Sequence, residues 1–366
     1  MKISINRELL IGPLQTVASV VEKRQALPIL SNVLITAEGN ALTLTATDME
    51  VEIIVRVNTS VDAAGTITLP ARKLVDICRA LPPEATINIE AKENRAIVRS
   101  GRSRFALSTL PAADFPSVGD AQVSFKVAVQ AKALRDLISD TQFAMAHQDV
   151  RYYLNGLLLE FTPERVRAVA TDGHRMALGE LVWQTGVKEG VQIILPRKGV
   201  AEIIRLLAEL DGEVDLQVGP SHLKAQTDSR VLTTKLIDGR FPEYGRVIPT
   251  KSDKVVVGDR ETLRQGLART SILSNEKFRG VRLALKHGQI HALAHNPDHE
   301  EAEEEIAVEY AGADLEIGFN VVYLLDVLSV IKTEKVQIEL STPDKSCLIQ
   351  PVGDATRQYV VMPMRL

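Results

Sequence analysis

Apolar residues recur along the chain with two alternating periods. Glu8-Leu9-Leu10 with Leu14 and Val17, Ala133-Leu134 with Leu137-Ile138, and Leu263 with Leu267 are spaced as on one face of a helix. Ala41-Leu42-Thr43-Leu44-Thr45-Ala46 and Arg165-Val166-Arg167-Ala168-Val169-Ala170 alternate with period two, which predicts strands with one buried face. Second helices are predicted over Arg72–Leu81, Lys198–Leu210 and Val321–Ile331, each followed by more strand-like segments. The order helix, strands, helix, strands thus occurs three times.

The order reflects an internal repeat. Ser103-Arg104 with Asp114-Phe115-Pro116 returns 126 residues later as Ser229-Arg230 with Arg240-Phe241-Pro242. Leu69-Pro70-Ala71-Arg72-Lys73-Leu74 returns at the same offset as Leu195-Pro196-Arg197-Lys198-Gly199-Val200, and Ala46-Thr47-Asp48 returns at 124 as Ala170-Thr171-Asp172. A third copy is fainter: Asn296-Pro297 falls where the Thr-Asp pairs predict, and Phe319–Leu324 falls near the Leu-Pro position. The expectation is an α+β chain of three tandem domains, 1–120, 126–249 and 254–366. Each domain reads as two βαβββ-like half-units of about sixty residues. Polar linkers are expected near Ser117–Ser124 and Thr250–Asp253.

Composition sharpens this picture. A length of 366 residues allows two or three domains with real cores, and the 4% aromatic content requires those cores to be aliphatic. The start, Met1-Lys2-Ile3-Ser4-Ile5-Asn6, alternates like a strand, and no apolar run is long enough for a membrane span. A cytoplasmic protein without a membrane partner is expected. Cys78 and Cys347 read as buried or idle thiols in a reducing compartment. The net charge of −4 argues against a protein that grips nucleic acid with its whole surface, but leaves room for a local basic patch. A basic run, Arg95, Arg99, Arg102 and Arg104, lies in the first repeat. An acidic run, His299-Glu300-Glu301-Ala302-Glu303-Glu304-Glu305, lies in the third. Opposite charge at the two ends suits head-to-tail association of two copies. The terminus Val360-Val361-Met362-Pro363-Met364-Arg365-Leu366 is apolar where ends are usually polar and frayed, so a docked strand or a binding surface is expected.

Several longer motifs resemble the DNA polymerase III beta subunit family of sliding clamps. In the first repeat they are Thr68–Lys73, Arg99–Phe105 and Leu110–Pro116, and in the second Met145–Gly156 and Ala170–Arg175. In the third they are Leu273–Arg282 and Tyr359–Leu366. The resemblance spans the chain. It implies three DNA-clamp domains, helices lining a ring with sheets outside, a head-to-tail homodimer, and a processivity role without catalysis or cofactor. Three domains of about 122 residues, each about 35 Å across, leave almost no hole; six leave roughly 35 Å, enough for a duplex. A ring around DNA therefore requires a dimer. The candidate DNA surface is the helices and the loops at their ends, with Arg24, Arg72, Lys73, Arg79, Arg197, Lys198, Arg205 and Arg282. His147, Gln148, Tyr152 and Tyr153 belong to a flanking loop. Such cations attract phosphates without reading bases, as sliding requires. The resemblance adds Phe105 and Leu107 against Ile272 and Leu273 as the apolar part of the dimer interface, beside Arg95, Arg102 and Arg104 facing Glu300, Glu301, Glu303 and Glu304. It also implies a pocket of Leu154, Thr171, Gly173, His174, Arg175, Met176, Pro242, Arg246, Val247, Asn320, Tyr323, Ser346 and the terminal residues Val360 to Leu366. Its ligands would be short linear motifs of the polymerase III catalytic subunit, the clamp loader, other polymerases and repair proteins. Met176 departs conservatively from the family's frequent Leu. Asp344 replaces a common apolar residue and predicts a more polar rim.

Two patterns invite other readings. His287, His291, His295 and His299 recur every fourth residue, but Pro297 breaks a helix there, and strand spacing spreads them beyond one ion, so no metal is expected. Thr171-Asp172-Gly173-His174-Arg175 holds an acid, a base and an arginine, yet Asp-Gly is ordinary turn chemistry and no nucleophile motif, Walker loop or Cys-x-x-Cys accompanies it. A non-encircling peptide-binding scaffold is the alternative function.

Overall fold

The computed structural model describes residues 1–22, 27–92, 94–118 and 122–365. The first repeat contains β1 (Lys2–Asn6), α1 (Arg7–Ala18), β2 (Asn32–Glu38), β3 (Ala41–Thr47), β4 (Val51–Asn58), a short β5 (Val61–Ala63) and β6 (Gly65–Pro70). It continues with α2 (Ala71–Ala80), β7 (Thr86–Lys92), β8 (Arg95–Ser100) and β9 (Ser103–Ser108). The second contains β10 (Phe125–Gln130), α3 (Ala131–Ser139), β11 (Gly156–Thr162), β12 (Arg165–Thr171), β13 (Arg175–Val182), β14 (Val191–Pro196), α4 (Arg197–Ala208), β15 (Glu213–Val218), β16 (His222–Gln226) and β17 (Arg230–Lys235). The third contains β18 (Lys254–Asp259), α5 (Arg260–Ser271), β19 (Gly280–Lys286), β20 (Gln289–His295), β21 (Glu301–Ala307), β22 (Leu315–Asn320), α6 (Val321–Val330), β23 (Lys335–Leu340), β24 (Cys347–Pro351) and β25 (Arg357–Val361).

Local chemistry sets the strand-to-helix junctions. Asn6, Asp259 and Asn320 cap α1, α5 and α6, their side chains accepting from the backbone N–H groups of Glu8, Thr262 and Val322 at 2.8, 2.7 and 2.9 Å. Pro70 and Pro196 end β6 and β14 just before α2 and α4. Both strands lie at sheet edges, where a missing N–H costs no ladder bond.

Each half-unit has the expected β-α-β-β-β order, but its first strand pairs with the other half-unit. β1 lies beside β7 rather than β2, and β6 lies beside β2 rather than β7. The second and third repeats do the same, with β10 on β15, β14 on β11, β18 on β23 and β22 on β19. This exchange interlocks the halves of every repeat. It could not be read from the sequence, because alternation identifies a strand but not its partner.

Two of the four sheets of the described residues also run across repeat boundaries. One has the order β10-β15-β16-β17-β4-β3-β2-β6, the other β14-β11-β12-β13-β25-β24-β23-β18. The remaining sheets are β5-β1-β7-β8-β9 and β21-β20-β19-β22. The chain accordingly divides into two compact units. One is Met1–Lys132 with Lys198–Leu236, the other Ala133–Arg197 with Ile237–Leu366. In the first, α1 packs on α2, β3 and β4 over a core that includes Ile3, Leu10, Leu14, Leu42, Leu44 and Leu74. In the second, α5 packs on α6, β20 and β21, and Phe161, Phe319 and Tyr359 are the largest fully buried side chains. Both cysteines are buried, and desolvation pushes the Cys78 thiol up to about 11 and the Cys347 thiol up to about 12. No helix of the described residues is long and apolar enough to cross a membrane.

Tyr359 anchors β25 between β13 and β24, 1% exposed. Tyr359→Ala is expected to lower the unfolding free energy by about 3–5 kcal/mol in urea titration; a loss under about 1 kcal/mol would contradict this packing role.

Candidate functional site

The motif Thr171-Asp172-Gly173-His174-Arg175 forms the turn from β12 to β13. Asp172 accepts from the backbone N–H groups of His174 (2.9 Å) and Arg175 (3.0 Å). The Thr171 hydroxyl donates to the Arg175 carbonyl at 2.7 Å. Gly173 has φ +87°, and a Cβ there would come within 3.1 Å of the Arg151 guanidinium. Arg175 is held from every side. It donates to Asp172 (3.1 Å), to Asp326 and to the Phe143 carbonyl (3.1 Å), and its guanidinium lies 4.6 Å from the centre of the Tyr323 ring. The His174 ring stacks on Tyr323 at 6.4 Å. The acid and the arginine of this motif are tied into turn and packing interactions.

Beside the turn is a cavity of ≈ 190 Å³. Of the expected residues, Leu154, Thr171, Gly173, Arg175, Met176, Pro242, Val247, Val360 and Met362 line it. Arg151, Glu243 and Tyr244 also line it and were missed, although Arg151 lies within the Met145–Gly156 motif and Glu243 and Tyr244 follow Pro242. The floor is an apolar cluster that includes Leu158, Val169, Leu178, Ile194, Phe241 and Leu348. Strand alternation explains the terminal contribution. Val360 belongs to this cluster and Met362 to the lining, while Tyr359 and Val361 are buried on the opposite face. The tail is docked: Met362 N–H donates to the His174 carbonyl and Met364 N–H to the Gly318 carbonyl, both at 2.9 Å. Such a cavity takes apolar side chains of an extended segment, oriented by polar groups at its rim.

Other expected pocket residues lie outside the lining. Asn320 caps α6, Arg246 pairs with Glu243 at 2.6 Å, and His174 and Tyr323 stack beside the turn. Ser346 precedes β24 and Pro363 is half-buried; Met364 and Arg365 line a different cavity, and Leu366 lies outside the described residues. Asp344 accepts from the Thr342 hydroxyl at 2.7 Å, which holds its carboxyl below the usual range; it does not line the pocket.

The cationic candidates divide into exposed and engaged groups. Arg72, Lys73 and Arg79 are exposed on α2, and Arg72 donates to the Val21 carbonyl at 2.9 Å. Lys198 pairs with Asp48 and with Glu22 (2.7 Å). Burial works against its charge, but these hydrogen bonds outweigh it and raise its pKa. Arg205 pairs with the buried Glu202. Arg197 donates to the carbonyls of Met145 (2.8 Å) and Ala146 (3.2 Å), so it positions the loop carrying the exposed His147 and Gln148. Tyr152 is exposed and meets Tyr153 edge-on at 5.8 Å, and Tyr153 packs on the apolar cluster. Arg282 requires a correction: it lies on strand β19 rather than at a helix, because the period-two pattern of Gly280–Lys286 governs there. Arg24 lies outside the described residues.

The acidic run falls on an edge strand, and the basic run spans an edge strand and the strand beside it. Arg95 and Arg99 are on β8, Arg104 is on the edge strand β9, and Arg102 is in the turn between them. All four are exposed, and Arg99 stands directly opposite Arg104, a like-charge pair. Phe105 is half-buried and Leu107 buried. Glu301, Glu303 and Glu304 are on the edge strand β21, and Glu304 pairs with Arg269 at 2.6 Å. Glu300 accepts from Asn296, Leu273 is half-buried, and Ile272 is 74% exposed. His291 and His295 lie along β20, with His291 between Glu303 (3.2 Å) and Glu305 (2.7 Å); His287 and His299 are in turns.

Comparison with known proteins gives this arrangement a family. Models of the N-terminal, central and C-terminal domains of the DNA polymerase III beta subunit match residues 1–119, 128–243 and 245–365. The beta sliding clamp of Pseudomonas aeruginosa is 54% identical, and that of Escherichia coli 46% identical, each over 100% of both chains. A crystal structure of the Pseudomonas aeruginosa clamp bound to griselimycin superposes with a TM-score of 0.97 at 53% identity, covering 100% of both chains. The chain belongs to the DNA polymerase III beta subunit family, the beta sliding clamps.

Arg197→Ala removes two of the bonds that hold the 145–148 loop. Each bond contributes about 1 kcal/mol, so hydrogen exchange at the Ala146 amide is expected to accelerate about tenfold or more. Unchanged protection would contradict the positioning role.

Proposed function

We propose that two copies of this chain close head to tail into a ring around duplex DNA. The ring is a non-catalytic, cytoplasmic processivity subunit of a DNA polymerase holoenzyme, built from domains 1–120, 126–249 and 254–366. The pattern of strand pairing carries this reading. Inside the chain, β17 lies antiparallel to β4 with Arg230 opposite Val55, and β25 lies antiparallel to β13 with Arg357 opposite Gly179. The repeat offset takes Val55 to Gly179, so both junctions share one register. The corresponding strands of the remaining half-units are β9 and β21, and both are sheet edges. Arg104 corresponds to Arg230. Thr47 pairs with Glu52 where His295 pairs with Glu301, so Glu304 corresponds to Val55. Transferred to two chains, the register sets Arg104 opposite Glu304 of the second copy and Leu107 opposite Glu301. An unpaired edge is a template for another strand, and opposite charges across it select this pairing over others. Phe105, Leu107, Ile272 and Leu273 supply the apolar part.

Retention on DNA is then topological, so a modest field from Lys73, Arg79 and their neighbours is enough, and a net charge of −4 is no obstacle. The Leu154–Met176–Met362 cavity takes short linear motifs of the polymerase III catalytic subunit, the clamp loader, and other polymerases and repair proteins. The internal pairing of Lys198 and Arg205 favours the second reading, a scaffold that never encircles DNA. Loading onto nicked circular DNA separates the two, because a ring is lost on linearisation and a scaffold is not.

Arg102→Glu with Arg104→Glu is expected to shift the protein to monomer in sedimentation, and an unchanged dimer contradicts the assignment. Deleting Met362–Leu366 is expected to abolish binding of a polymerase-derived linear peptide while the dimer survives; normal peptide affinity contradicts the pocket.

A further inference from the structure

The third repeat has its own cavity, ≈ 530 Å³, at the place corresponding to the peptide pocket. In the second repeat Leu158 pairs with Ile194, and the Ile237 N–H donates to the Ile194 carbonyl at 2.9 Å. In the third, Arg282 pairs with Gly318, and the Met364 N–H donates to the Gly318 carbonyl at 2.9 Å. The backbone plan is the same and the side chains differ. Ile194 is 3% exposed and belongs to the apolar cluster, whereas Gly318, with no side chain, stands at the corresponding position. Phe278 stands at the position of Leu154 and is 56% exposed on the wall. In the second repeat the same ground is covered by the chain's own Phe241, with Tyr244 packed against it; no counterpart covers the third among the described residues.

What fills the sister repeat indicates what fits here. We infer that this cavity is a second docking site for an extended peptide segment, one that carries an aromatic side chain beside a carboxylate. The aromatic ring takes the place of Phe241 against Phe278, Leu293 and Met364. The carboxylate meets Arg282, whose nearest acid, Glu316, is 3.9 Å away, and Arg365 at the same wall. β13 keeps an open cavity beside it although it is paired along β25, so pairing along β21 is compatible with access here. The inference rests on reading the Leu154–Met176 cavity as a peptide pocket, because the two correspond position by position.

The test uses the full chain and a synthetic peptide that copies Asp238–Gly245, the segment that covers the second repeat. Methyl NMR of Met364 and Leu293 is expected to show saturable shifts with a Kd below about 1 mM. Phe278→Ala, Arg282→Glu and Gly318→Ile are each expected to weaken binding about tenfold or more. Met176→Glu, which spoils the first pocket, leaves it unchanged. Sedimentation and thermal melting show whether each variant stays folded, and the surface substitution Arg282→Glu keeps the test decisive if Gly318→Ile does not fold. Absence of saturable shifts, or full affinity in Phe278→Ala and Arg282→Glu, overturns the inference. Binding lost only in Met176→Glu also overturns it, while leaving the first pocket intact as a peptide site.

Discussion

The antiparallel pairing of the last strand of one half-unit with the last strand of another is the constraint on which this structure depends. It occurs twice inside the chain, at β17–β4 and β25–β13, in one register. A strand with a free edge leaves a row of backbone groups unpaired, so each junction satisfies a ladder and extends a sheet across a repeat boundary. The two compact units follow from this, since each couples one terminal repeat to half of the middle one. The same rule leaves β9 and β21 as the edges whose counterparts are paired, with Arg104 on one and Glu301, Glu303 and Glu304 on the other.

The pocket is a product of the second junction. β13 brings Met176 and the Thr171–Arg175 turn, and β25 brings Val360 and Met362 on the face opposite Tyr359. Neither strand forms the cavity alone. Its walls are set by backbone pairing and by the Arg175 network with Asp172 and Asp326, so the apolar floor is presented without rearrangement of the turn. Such pre-organisation suits short segments, which have little area with which to offset ordering costs.

Much of this was legible in the sequence. The Ser-Arg and Phe-Pro recurrences gave the repeat, and helical spacing gave the six α-helices of the described residues. The pairing scheme was not legible: nothing in Ile3-Ser4-Ile5 says that its neighbour is β7 rather than β2. The partners of the charged side chains were not legible for a related reason. Arg197 and Lys198 were placed among the DNA-facing cations, and the fold brings carbonyls of Met145 and Ala146 to one and Asp48 to the other. Arg282 was assigned to a helix end and lies on β19, and the tail divides between two cavities because beyond β25 it bonds first to the His174 carbonyl, through Met362, and then to the Gly318 carbonyl, through Met364. In each case the missing information was the spatial neighbour.

Closure through β9 and β21 is the central claim, and a covalent trap tests it most directly. The transferred register sets Ala106 opposite Ala302 of the second copy, at a separation that a disulfide spans, about 4.4–6.8 Å between Cα atoms. A chain carrying both Ala106→Cys and Ala302→Cys, oxidised mildly at low concentration and examined under non-reducing denaturing conditions, is predicted to run as a covalent dimer and to revert to the 40.1 kDa chain on reduction. A chain that remains monomeric after oxidation would contradict the account.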